Sequence, residues 1–248
     1  MNFPDFVLLF GVGVVSAFLN VMAGGGSAIA LPVLIFMGLD SALANGTNRV
    51  AILLQNIFAV TSFRSLDVHA FRQSLSFTLW ALPGAVAGAV VGVTISDMWF
   101  QRILAVVMIA TVVTLLIPQK SAAEDPEMSK KRERWIYPIM IGIGFYGGFI
   151  QVSVGFLFMA ALYHVMRMNL VLVNMHKVTI VMIYMVPALA VYAWTGNVDW
   201  LSGLSLGAGS AVGGWWAARV SVRGGEKVVR IVLVAAMLVM AAKLVRIF

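Results

Sequence analysis

The sequence predicts an all-α integral membrane protein built from two inverted repeats of transmembrane helices, each repeat carrying a short helix that follows a glycine break. Three observations point to it. Hydrophobic residues fill 61% of the 248 positions and charged residues 11%, too little charge for the surface of a soluble domain. Apolar runs are separated by short polar loops, and each long run reaches the about 20 residues needed to cross a hydrocarbon core as a helix. The stretch from Asn20 to Arg49 is echoed by Gln151 to Lys177, about 130 positions later, so the chain is a doubled object.

The first apolar helix is expected over residues 4 to 22 and ends at Gly24, Gly25 and Gly26. A shorter helical piece, 27 to 37, carries Pro32 close to its start, where the ring is tolerated. A loop through Asp40 and Asn45 leads to a helix over about 47 to 64, then a polar link with Arg64, Asp67, His69 and Arg72, then a helix over about 73 to 95. In that helix Gly84, Gly88 and Gly92 recur every four residues, which clears one face for a closely packed neighbour. A turn at Ser96 and Asp97 precedes a helix over about 99 to 117. The only sustained hydrophilic stretch, 118 to 134, is expected as a cytoplasmic linker between a first repeat, 1 to 117, and a second, 135 to 248. The second repeat is expected to contain helices over about 135 to 153, 171 to 194, 200 to 218 and 227 to 246, and a short piece over 156 to 167. Gly209 and Gly213 echo Gly84 and Gly88.

Lys and Arg in short loops stay on the cytoplasmic side. That places the central linker inside, together with the Arg64 to Arg72 link and the cluster of Arg219, Arg223, Lys227 and Arg230, provided each repeat makes five passes. An odd number of passes inverts the second repeat relative to the first. Most tryptophans fall near helix ends and mark the interfacial belts. The opening residues MNFPDF lack a basic region and a cleavage site, so the first helix is expected to be retained.

The net charge of +7 sits at helix ends and in one loop and makes no basic stripe with interleaved aromatics, so nucleic acid is not an expected partner. With no cysteine, thiolate metal sites, disulfides and cysteine catalysis fall away together. Three scattered histidines make no metal site. Neither a triad, a P-loop nor a dinucleotide fingerprint occurs, so neither enzyme chemistry nor a cofactor is expected.

The polar residues inside the apolar runs are the candidates for function. Gly24, Gly25, Gly26 and Ser27 expose backbone at the start of a short helix, where N–H groups and the positive dipole end favour an anion; a plain hairpin turn reads the same way. Asn45, Thr47, Asn48 and Arg49 face Asn174, His176 and Lys177 across the repeat. A cation at the same place in both halves would raise the potential of a central cavity, although Lys and Arg near helix ends also snorkel to headgroups. Asn20 and Gln151 occupy matching places before the two breaks and either line the path or bond a neighbouring helix. His176 is the candidate for a coupled proton, with Asn48 as its non-titrating counterpart. Gln55, Asn56, Tyr184 and Tyr192 are weaker candidates of the same kind.

At these residues the chain resembles the sulfite exporter family TauE/SafE, the 4-toluene sulfonate uptake permease group. The resemblance rests on Gly24-Gly25-Gly26 to Pro32, Gly38, the Ala44-Asn45-Gly46-Thr47-Asn48 run and the Pro83-Gly84 to Gly92 helix, with Gly142 to Gly155 and Asn174 to Thr179 as a degenerate second copy. It covers essentially the whole chain. It implies a multi-pass transporter of the bacterial inner membrane that exports small sulfur-containing anions such as sulfite or organosulfonates, driven by the proton or membrane potential. Two features depart from the family pattern: Asn48 stands where serine is common, and no proline follows the second glycine break. A non-transporting membrane assembly or accessory protein is the alternative, and the glycine-faced helices permit a homodimer.

Overall fold

The computed structural model describes residues 2–100, 102, 103, 106 and 134–245, with side chains through residue 232. Every regular element within them is helical. Helix α1 (Phe3–Ala23) is followed by the short α2 (Ser27–Phe36), then α3 (Ser41–Arg64) and α4 (Phe71–Thr94). In the second half, α5 (Ile136–Phe149) is followed by the short α6 (Val154–Ala160), which runs on through a π-turn at Ala161–Val165. Helix α7 (Leu170–Trp194) and α8 (Trp200–Val245) complete the described chain. The expected helix over 99 to 117 and the linker over 118 to 134 lie almost entirely outside the described residues.

Three of these helices, α1, α4 and α7, are long and apolar enough to cross a membrane. The surface is the reverse of a soluble protein's. Phe36, Leu79, Trp194 and Leu201 are exposed, whereas Asn45, Arg49, Gln55, Asn174 and Lys177 are buried. Lipid-facing apolar side chains around a polar interior are the arrangement a bilayer demands, because intramembrane polar groups are costly unless they face the bundle.

Two boundaries differ from the expected ones. Helix α3 begins six residues earlier than expected, at Ser41 rather than 47. Its first two turns are held from outside: Asp97 accepts the Ser41 N–H at 2.8 Å, and the Thr47 hydroxyl accepts the Asp199 N–H at 2.9 Å. These tertiary bonds let a polar segment with no apolar periodicity stay helical and buried. Helix α8 was expected as two helices with a gap; it continues to Gly224 and breaks only at Gly225, where φ is 63°.

Helices α3 and α7 form the centre of the bundle and pack on each other. Around them the halves exchange partners: α1 lies along α8, and α4 lies along α5. The glycines expected to clear a face do so. Gly84 and Gly88 lie against the backbone of Ile141 and Phe145 on α5, and Gly144 and Gly148 return the contact at Ala81 and Ala85. Gly209 and Gly213 meet Phe10 and Val14 of α1 in the same way. Backbones this close leave no room for a Cβ, which is how small residues drive helix association in lipid.

Candidate functional site

The two glycine breaks meet in the interior. A Cβ on Gly155 would stand 2.7 Å from the Gly24 carbonyl oxygen, so only glycine fits there. Gly24 caps α1 in the left-handed conformation, with φ of 89° and its N–H donating to the Asn20 carbonyl at 2.8 Å. The second break achieves its turn differently, placing Gln151 (φ 67°) and Ser153 (φ 59°) in the left-handed region. Non-glycine residues there cost of order 1 kcal/mol each and persist where the surrounding structure over-determines them.

Each break leaves a helix C-terminus inside the bundle, with carbonyl oxygens that no further turn of helix can satisfy. A cation from the other half satisfies each one. Lys177 of α7 donates to the carbonyls of Asn20 (3.0 Å) and Val21 (2.7 Å) at the end of α1, and to Asn174 Oδ1 (3.0 Å). Arg49 of α3 donates to the carbonyls of Gly147 (3.3 Å), Gly148 and Phe149 (3.4 Å) at the end of α5. Its guanidinium also lies 4.3 Å from the centre of the Tyr192 ring. Backbone carbonyls at the negative end of a helix dipole are the partners a buried cation needs when no carboxylate is near.

The remaining candidates sort around these two anchors. Asn45 donates to the Phe149 carbonyl (2.8 Å) and to the Tyr192 hydroxyl (2.6 Å), beside Arg49. Asn48 Nδ2 and Arg49 Nε are buried there with no hydrogen-bond partner among the described residues. Thr47 binds the turn before α8. Gly25, Gly26 and Ser27 are buried in the first break. His176 faces α4, with Nδ1 2.8 Å from the Ser74 hydroxyl and its ring edge-on to Phe77.

Asn20, Gln151 and Lys177 converge on a cavity of about 10 Å³ between the breaks, and Gln55 and Asn56 complete its polar wall. Val154, Gly155 and Val181 close it. The amides are ordered in a chain. Asn56 must turn its amino group to the Ile52 carbonyl (2.8 Å), so its oxygen accepts from Gln55 (3.4 Å), whose own oxygen accepts from Asn20 (3.2 Å). On the far wall Gln151 Oε1 accepts from the Tyr184 hydroxyl at 2.9 Å. The sequence supplied a signal for these partners, since Asn56 and Tyr184 each lie seven residues after the cation of their own helix and so share its face. Nothing in the sequence marked Ser74 as the partner of His176.

The description "Sulfite exporter TauE/SafE" matches residues 9–244. This chain belongs to the TauE/SafE family. Curated relatives in the family run nearly the full length of the chain. A "Probable membrane transporter protein" of Haemophilus influenzae is 25% identical over 240 residues, covering 96% of this chain and 93% of that one. "Probable membrane transporter protein ORF9" of a Sinorhizobium species is 24% identical over 246 residues, with 98% and 94% covered. "Probable membrane transporter protein YfcA" of Escherichia coli K12 is 25% identical over 244 residues, with 96% and 88% covered. No solved structure matches the chain significantly. Together with its apolar helices, TauE/SafE membership makes the chain a multi-pass membrane protein.

Proposed function

We propose that this TauE/SafE protein is a secondary transporter of the bacterial inner membrane that exports a small sulfur-containing anion, sulfite or an organosulfonate, through the cavity where the two breaks meet. The observation that carries the reading is the convergence of Asn20, Gln55, Asn56, Gln151 and Lys177 on one cavity between the breaks. Along the amide chain each amino group donates one N–H to the next oxygen, Asn20 to Gln55, Gln55 to Asn56 and Asn56 to the Ile52 carbonyl, so each amide keeps a second N–H for a guest. Neutral donors beside one cation suit an oxyanion that must also leave. At about 10 Å³ the cavity has room for about one water molecule, so an oxyanion enters only if the breaks part.

The exchange of partners, α1 on α8 and α4 on α5, supports two inverted repeats that rock against each other to open the cavity to either side. In such a cycle the cross-bonds from Lys177 to α1 and from Arg49 to α5 join the moving parts.

A ligand that binds only the folded protein raises its melting temperature by mass action, by about 2.7 kcal/mol of stability at a hundredfold excess over Kd. The purified protein is therefore expected to melt higher with at least one of sulfite, thiosulfate, sulfoacetate or taurine, and Lys177→Gln to lose that shift. No shift with any of them at saturating concentration overturns the reading and favours an accessory role.

His176 remains the candidate for the coupled proton in this reading, acting through Ser74 on α4 rather than from the cavity wall. His176→Asn is expected to leave ligand stabilisation intact while flattening the pH dependence of transport in proteoliposomes. An unaltered pH profile would remove it from the coupling scheme.

A further inference from the structure

We propose that the first two turns of α3 line a hydrated path from the outer face of the membrane to the second glycine break, closed in this conformation by Tyr192. This deepens the transport reading and rests on it. Four buried polar atoms on α3 have no hydrogen-bond partner among the described residues: Ser41 Oγ, Asn45 Oδ1, Asn48 Nδ2 and Arg49 Nε. None of the four residues is more than 1% exposed. Spacings of three and four residues put them on one face of the helix. A fifth such atom, Ser153 Oγ, lies in the second break, next but one to Gln151 on the cavity wall. Arg49 joins the row to that break, because its guanidinium binds the carbonyls of Gly147, Gly148 and Phe149 just before it.

The occupant follows from the chemistry. A buried polar atom without a partner costs free energy, and native interiors hold few unless water or a guest meets them. Asn48 Nδ2 and Arg49 Nε only donate, Asn45 Oδ1 only accepts, and the Ser41 hydroxyl does either. Water donates and accepts, so it satisfies every atom of the row, and the same groups lend hydrogen bonds to an anion that passes. The direction comes from the other end of α3, which runs to Arg64 and into the basic link that stays cytoplasmic. Ser41 therefore stands at the outer end. Tyr192 lies across the row: its hydroxyl accepts from Asn45 at 2.6 Å and donates to the Phe149 carbonyl at 3.0 Å, and its ring lies against the Arg49 guanidinium. The matching helix of the second half differs. On α7, Asn174, His176 and Lys177 all have partners, and among the described residues that helix carries no unpaired buried polar atom.

The chain has no cysteine, so single cysteines report water access directly. Ser41→Cys, Asn45→Cys and Asn48→Cys are treated in right-side-out membrane vesicles with 2-sulfonatoethyl methanethiosulfonate, a membrane-impermeant anion that reacts with thiolates. Val50→Cys is the control, since Val50 follows Arg49 at the same depth but is buried against Gly203 of α8. Thiolates form where water reaches, so all three row positions are expected to label from outside at least about tenfold faster than the control. Labelling at Asn48→Cys no faster than at Val50→Cys, or only from the cytoplasmic side, overturns the path. It leaves the transport reading standing, because ligand-induced stabilisation tests that separately. Asn48→Leu decides where a cysteine variant fails to insert. In a dry row leucine removes an unsatisfied donor and raises the melting temperature; in a hydrated row it strips water from its neighbours and brings no gain. Melting above the native temperature therefore overturns the proposal. Tyr192→Phe removes the hydroxyl that bridges Asn45 and Phe149 and is expected to speed labelling at Asn48→Cys; an unchanged rate overturns its closing role.

Discussion

Arg49→Gln is expected to lower the apparent melting temperature in detergent by about 5–10 °C and to abolish transport. Arg49 is fully buried and serves the carbonyls of Gly147, Gly148 and Phe149, which end α5 inside the bundle. Phe149 keeps Asn45 and Tyr192 as donors, but Gly147 and Gly148 depend on Arg49, and glutamine, shorter and with one amino group, reaches at most one of those two oxygens. Each buried acceptor left without a donor costs about 1–3 kcal/mol, and about 2–4 °C is lost per kcal/mol in a chain of this size. Arg49→Lys is expected to fall between the two, because a single ammonium cannot span three successive carbonyls and stack on Tyr192 at once. A melting temperature unchanged in Arg49→Gln would mean that water or lipid satisfies the end of α5, and that the cross-bond does not hold the halves.

The second large effect is expected at the contact between the breaks. Gly155→Ala places a methyl group 2.7 Å from the Gly24 carbonyl oxygen and 3.0 Å from its carbonyl carbon. Both are backbone atoms, and Gly24 is itself fixed by its φ of 89° and by bonds to the end of α1. No side-chain rotation relieves the overlap, so the breaks must separate. A cost of about 1–3 kcal/mol is expected, with loss of ligand-induced stabilisation, because Gly155 also closes the cavity. Gly142→Ala is the matched control: a Cβ there meets no atom within 4 Å, and the change should be neutral or stabilise the helix by about 0.5–1 kcal/mol. If Gly155→Ala keeps native melting and ligand response, the two breaks are not in rigid contact and the cavity between them loses its wall.

Much of this could be read along the chain. Composition alone demanded a membrane protein, and the glycine triplet at Gly24 to Gly26 ended α1 where expected, because a backbone without Cβ is what a left-handed cap requires. The repeat of Gly84 and Gly88 at helical spacing announced a close helix crossing, and α5 supplies it. Asn20, Gln151 and Lys177 were singled out as polar residues with no reason to face lipid, and they share one cavity.

What the chain did not reveal locally were the partners. Arg49 and Lys177 were legible as cations at matching positions, which suggested two charges in one anion site; instead each binds the carbonyl end of a helix from the opposite half, and only Lys177 lines the cavity. The early start of α3 escaped for a related reason. Ser41 to Arg49 has no apolar periodicity, and it is helical because Asp97 and the turn at Asp199, both distant in sequence, bind it. Residue type and spacing thus determined which segments are apolar and helical, where the chain breaks and which side chains are polar. Only the tertiary structure decided which carbonyl each buried donor meets, because a hydrogen bond between positions more than a hundred residues apart leaves no periodic trace in either segment.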